Sequence, residues 1–223
     1  QVYKSGGLYG PAIDRIIQWL NKALPFAENP AQAESIRKLI SFYQTGSLVT
    51  WDEYNIAWVR DLESKVDFIN GFIEVYGDPM AMKGSWEAMV NFKDVEATRR
   101  TEVLSSNAQY FEDNSPVDQE YKKEKVKGVS AKVITAAQLG GDCHPSTPIG
   151  INLPNANWIR KTHGSKSVTI DNITYSYDQA AKGNGFIEEF AFSDEEKKRV
   201  KVYGYLAGCL TTDLHECLGH GSG

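Results

Sequence analysis

The chain is expected to be an α+β protein, because the spacing of its apolar residues changes twice along its 223 positions. Residues 1–65 repeat apolar side chains at helical intervals, residues 66–192 replace them with short runs rich in β-branched and aromatic residues, and residues 193–223 return to helical spacing. Those two changes set the expected organisation: a helical segment over 1–65, a β-rich core over 66–192, and the start of a further helical lobe over 193–223.

The first helix is read over Pro11 to Leu24, where Ile13, Ile16, Ile17 and Leu20 share a face. Asn29 then stands as a helix cap with Pro30 at the first helical position, and the helix they open carries Ile36, Leu39, Ile40 and Tyr43 before Gly46 ends it. Thr50 and Glu53 have the spacing of a capping box, which places a third helix from there to about Lys65. These stripes are core packing and carry no evident chemistry.

Val66 to Tyr76 reads as strands around a turn, closed by Gly77-Asp78-Pro79, and Trp86 to Phe92 as another strand. A helix is expected from Glu96 to about Phe111, followed by a polar surface connection with a lysine run. Lys132 to Leu139 is a strand, and Ile149 to Leu153 can extend as an edge strand in a segment rich in glycine and proline. Ser167 to Tyr177 alternates around Asp171-Asn172, the pattern of a hairpin. Ser193, followed by Asp194, Glu195 and Glu196, caps a last helix, with a break expected at Gly204 or Gly208.

Composition narrows the function classes. The net charge is −5 and no basic cluster dominates, so nucleic acid is not an expected partner. No stretch approaches the roughly 20 apolar residues that span a membrane. Three cysteines without metal-ligand pairing argue against a disulfide framework, which together with the missing membrane signal gives a cytoplasmic expectation. Cys217 is expected to pack as a small apolar residue, and His144 and His163 to be loop histidines.

The ending His215-Glu216-Cys217-Leu218-Gly219-His220 carries the chemistry. Two histidines four apart on an α-helix differ by only about 40° in azimuth and can share a zinc ion, while an adjacent glutamate serves as base. Here the interval is five, which on an ideal helix sets the rings about 140° apart. Either the pairing is chance, or the helix absorbs the extra residue as a π-type bulge or loosened turn, for which Gly219 is a natural site.

The string HECLGH followed by Gly-Ser-Gly resembles the zinc motif of the dipeptidyl peptidase III family. Gly71 to Pro79 (GFIEVYGDP) and Gly150 to Asn155 (GINLPN) resemble two further stretches of that family, in the same order. The cysteine after His-Glu resembles a bacterial branch such as that of Bacteroides. The resemblance implies a two-lobed zinc exopeptidase that releases dipeptides from the N-termini of oligopeptides, with a five-stranded barrel core in the lower lobe. It assigns His215 and His220 as zinc ligands and Glu216 as general base. Tyr76 matches the donor to the developing oxyanion, and Glu74, Asn152 and Asn155 the groups that bind the free amino end. Gly150 and its neighbours would offer a strand edge to the peptide backbone. Read without the family, Tyr76 is a half-buried strand aromatic, Asn152 an edge-strand polar residue and Asn155 a loop residue.

The family's third zinc ligand is a glutamate on a following helix, so the resemblance places it beyond Gly223. The chain is therefore expected to be an internal segment whose partner is the rest of its polypeptide, and to lack peptidase activity alone. Two alternatives remain at this point: a non-catalytic peptide-binding module, and a structural domain with a chance histidine pair.

Overall fold

The computed structural model describes residues 2–74, 80, 84–126, 130–144 and 147–220. Its helices are α1 (Gly10–Ala23), α2 (Pro30–Thr45), α3 (Leu48–Arg60), α4 (Val95–Ser106), α5 (Ala108–Asp113), α6 (Asn157–His163), α7 (Asp171–Ala181), α8 (Phe186–Phe190) and α9 (Asp194–Leu214). The strands are β1 (Val66–Glu74), β2 (Ser85–Lys93), β3 (Ser130–Gly141), β4 (Gly150–Leu153) and β5 (Lys166–Ile170). The fold is α+β, as expected. The chain divides into two compact units, Gln1–Lys65 with Ala156–Ser165, and Val66–Asn155 with Lys166–Gly223.

The first unit is helical. The expected stripes are its core: Ile13, Leu20, Ile36, Leu39, Ile40, Phe42, Tyr43, Tyr54 and Trp58 are buried. Asn29 caps α2, its side-chain oxygen accepting from the Gln32 N–H at 2.9 Å, and Gly46 takes the left-handed conformation that ends it. The third helix departs from expectation. It starts at Leu48 after Ser47, not at a Thr50 capping box, and Glu53 instead pairs with Lys38 Nζ at 2.9 Å. With Ser47 at the cap, Glu53 lies beyond the first turn and cannot reach back to close a box.

The second unit is built on a five-stranded sheet of order β1-β2-β3-β5-β4. The β3–β5 pairing is parallel and the others antiparallel, so β4 forms one edge. The sheet is curled: the buried Lys166 of β5 reaches Asp67 of β1, not its neighbour in the sheet, at 3.0 Å. Residues 66–74 form one strand rather than two around a turn, pairing with β2 from Val66↔Phe92 to Glu74↔Ser85 with an irregularity near Phe72. The helix expected after Glu96 is divided at Asn107 into α4 and α5. Asp94 caps α4, and Thr98 and Thr101 bond the backbone of β3 at Val133 and Ala131.

The expected hairpin at Asp171-Asn172 does not form. β5 is already paired on both sides, and the chain passes from Ile170 directly into α7. Asn172 bonds Ala136 twice, through Oδ1 at 3.0 Å and Nδ2 at 3.1 Å. Thr174 and Ser176 return their hydroxyls to carbonyls four residues back, so a β-favouring run is accommodated in a helix. Likewise α9 runs unbroken through Gly204 and Gly208. A helix interior tolerates each glycine at a cost of about 1 kcal/mol. Among the described residues no helix is long and apolar enough to cross a membrane.

Candidate functional site

α9 is capped by Ser193, whose hydroxyl oxygen accepts from the Glu196 N–H at 3.2 Å, and three acidic residues occupy its first turn. At its other end the α-helix passes into a π-helical turn over His215–His220. Hydrogen bonds from residue i to i+5 return a side chain five positions on to the side of the first, as the five-residue interval requires. The two imidazole rings lie with centroids 4.7 Å apart and planes at 83°. Both histidines are exposed, whereas Glu216 and Cys217 between them are buried. A side chain added to Gly219 would meet nothing within 4 Å, so the turn does not need glycine there for space.

Glu216 is the centre of the arrangement. Its residue is 6% exposed, and its Oε2 is buried without a hydrogen-bond partner among the described residues. Burial pushes its carboxyl above the usual range, and the charge of His215 partly offsets this. Gly150, the first residue of β4, packs directly on this side chain: a Cβ there would stand 2.6 Å from Glu216 Cγ and 2.7 Å from Cδ. Glycine at 150 is thus a steric requirement of the glutamate, beyond its place on a strand edge. Cys217 is 1% exposed, and burial, reinforced by Asp213 and Glu216, pushes its thiol up to about 12. It packs as a neutral group, as expected of it.

Asn152, paired with Ser167 across β4 and β5, donates from Nδ2 to Ser167 Oγ at 2.6 Å. Glu74 and Asn155 form a pair of their own. Burial raises the Glu74 carboxyl, and a hydrogen bond from the Asn155 side chain lowers it in part. The neighbouring Glu87 is also raised, first by burial and then by Glu74, and its Oε1 is buried without a partner among the described residues. Cys143 donates to the other oxygen at 3.5 Å. His163 stacks edgewise on Trp158. Tyr76 lies outside the described residues.

Four residues that pack against the turn were not legible in advance. Asp213, fully buried two residues before the motif, accepts from Thr169 Oγ1 at 2.9 Å and from Arg100 Nε. Arg100 comes from α4, more than a hundred positions earlier, so no local spacing announces it. Ser167 and Thr169 sit in an alternating run, where polar positions read as the exposed face of a hairpin; both are buried.

Imidazoles are suitable zinc donors, and two of them converging beside a buried carboxylate fit two corners of a tetrahedral site. Among the described residues no group of three or more His, Cys, Asp and Glu side chains is placed to hold a metal.

Comparison with known proteins gives a consistent picture. The chain is 31% identical over 223 residues to dipeptidyl peptidase 3 of Dictyostelium discoideum, covering 97% of this chain and 30% of that protein. It is 28% identical over 221 residues to dipeptidyl peptidase 3 of Homo sapiens, covering 97% and 28% respectively. It thus spans about a third or less of the length of these relatives. Its fold is similar to that of DPP III from Caldithrix abyssi, with a TM-score of 0.69 at 22% identity over 78% of this chain and 33% of that one. The sequence model of Peptidase family M49 matches residues 1–223 from end to end. The chain belongs to Peptidase family M49.

Proposed function

We propose that this chain carries the peptide-binding edge and part of the catalytic centre of a zinc-dependent dipeptidyl peptidase, which releases N-terminal dipeptides from oligopeptides. The observation that carries the reading is the π-turn: it brings His215 and His220 to 4.7 Å and leaves between them in sequence a buried glutamate with a partnerless oxygen. His215 and His220 would hold zinc, which supplies a Lewis acid for the scissile carbonyl, with further donors completing the tetrahedron.

Glu216 acts as general base. Its carboxylate takes a proton from the attacking water and passes it to the leaving amine. Burial suits it to the first step, since a carboxylate whose pKa is raised is a stronger base toward the attacking water, and the protonated carboxyl is still acidic enough to protonate the leaving amine. Gly150 keeps the space against this side chain clear. Tyr76 is assigned, by its place in the family motif, to donate a hydrogen bond to the developing oxyanion.

Glu74 supplies the countercharge for the peptide's free ammonium, and Asn152 and Asn155 supply amide groups around it. Binding of that ammonium at a fixed distance from the cut is what would limit the product to dipeptides. The backbone of β4, at the sheet edge, pairs with the peptide main chain and so tolerates varied side chains.

The test is hydrolysis of a dipeptidyl-naphthylamide by the full-length polypeptide with zinc. Turnover that a chelator removes, that zinc restores, and that N-acetylation of the substrate abolishes is the expected result. Turnover indifferent to chelator, or equal for the acetylated substrate, contradicts it.

A further inference from the structure

The π-turn is held from outside its own helix. Ser167, fully buried in β5, donates from Oγ to the Glu216 carbonyl oxygen at 2.7 Å and accepts from Asn152 Nδ2 at 2.6 Å. Two residues on, Thr169 Oγ1 donates to Asp213 Oδ1 at 2.9 Å. Two residues further, Asp171 accepts from the Tyr205 hydroxyl at 3.2 Å and the Cys209 thiol at 3.6 Å. Positions 167, 169 and 171 alternate onto one side of the chain, and 205, 209, 213 and 216 form one stripe of the helix and its terminal turn. A polar seam therefore runs from α9 to the turn and ends on the backbone of the proposed base.

In an α-helical register the Glu216 carbonyl would accept the N–H of His220, four residues on. Widening the turn to i→i+5 removes that pairing, and from outside the helix Ser167 Oγ donates to the same carbonyl. We infer that Ser167 is a positioning residue: its hydroxyl stabilises the wide register that lets His215 and His220 converge. Without it, the wide register loses its tie to β5 and the α register is favoured, which would turn the two rings about 140° apart. Because Ser167 also receives Asn152 of the edge strand, the same hydroxyl couples the proposed peptide-binding edge to the base-bearing turn. The consequence for zinc rests on the proposed function; the consequence for the turn does not.

The test compares Ser167→Ala, Ser167→Cys and Ser167→Thr in the full-length polypeptide. Val168→Ala, a core change at the next position of the same strand, serves as a control for general destabilisation. Zinc affinity is read by chelator competition, thermal midpoint by calorimetry, and the metal-free turn by crystallography. Loss of the hydroxyl is expected to weaken zinc binding by about 10–100-fold, the range for groups that orient ligands. The metal-free Ser167→Ala structure is expected to show residues 215–220 in the α register with the rings apart. Ser167→Thr, which keeps the hydroxyl, should restore affinity to nearly the parent value, and Val168→Ala should leave it nearly unchanged despite a lower midpoint. Ser167→Cys, close in size and a poor donor, carries the test if Ser167→Ala does not fold. Unchanged zinc affinity with an intact wide turn in the alanine or cysteine variant overturns the inference, as does an equal loss in Val168→Ala. Should the parent protein bind no zinc, the functional reading fails, and the metal-free structures alone decide the register.

Discussion

The helical unit and the sheet unit both bury an apolar core, and they differ in how their buried polar groups are arranged. The first closes over Ile13, Leu39, Tyr43 and Trp58, with polar groups such as Asn29 serving as caps and ties at helix ends. The second buries a row of polar groups, Ser167, Thr169, Asp213 and Glu216, between a strand and a helix. In the first unit burial stabilises in proportion to apolar area. In the second each polar group must find a partner, and Glu216 keeps one oxygen without one among the described residues. A buried acid oxygen without a partner is a cost to folding, and under the proposed function it would supply a dry base.

The contrast can be broken most forcefully at Glu216 itself. Glu216→Gln removes the base and keeps the shape, so hydrolysis should fall by about 10²–10⁴-fold. The thermal midpoint should not drop, because no hydrogen bond to Oε2 is lost. A large loss of stability in that variant would make Glu216 a structural group. Asp213→Ala should cost about 1–3 kcal/mol in urea unfolding, since Thr169 loses its acceptor while Arg100 keeps Asp171 at 3.8 Å, and should weaken zinc binding too. Leu39→Ala in the helical unit should cost about 2–5 kcal/mol without touching zinc affinity. Equal effects of the two changes on zinc would erase the distinction between the units.

A comparable effect is expected at the strand edge. Gly150→Ala forces a methyl group against Glu216, which should cost about 1–3 kcal/mol and lower kcat more than it raises KM. The subtlest prediction is a pH shift. Burial holds the Glu74 carboxyl above its ordinary value, and the Asn155 hydrogen bond pulls it down. The ammonium needs the ionised form, so peptide capture is lost as pH falls through that raised value. Asn155→Ala removes the lowering influence, so the acid limb of kcat/KM should move to higher pH. A shift to lower pH would exclude Glu74 as the group being titrated.

Local signals reached the sequence reading, and long-range ones did not. The Asn29 cap, the Gly46 stop, the apolar stripes of α1 and α2, the edge position of β4 and the distorted turn at the histidine pair all follow from spacing within a few residues. The Thr50 capping box does not form because the helix starts earlier, at Leu48, which leaves Glu53 beyond its first turn and paired with Lys38 of another helix. The hairpin at Asp171-Asn172 failed because both edges of β5 were already occupied by strands distant in sequence. Arg100, Ser167 and Thr169 are illegible for the same reason, since their partners in α9 and its terminal turn lie from 44 to 113 residues away. Gly219 is conspicuous in the sequence for its freedom, yet within the site it is Gly150 whose Cβ would meet the Glu216 side chain.

The most direct measurement is an anomalous difference map at the zinc edge from crystals of the full-length polypeptide. The account predicts one peak within about 2.1 Å of a ring nitrogen of both His215 and His220, with the turn still wide and the Glu216 carboxylate facing the ion. A map with no peak there, or with the ion held by only one of the two rings while the other points away, contradicts it.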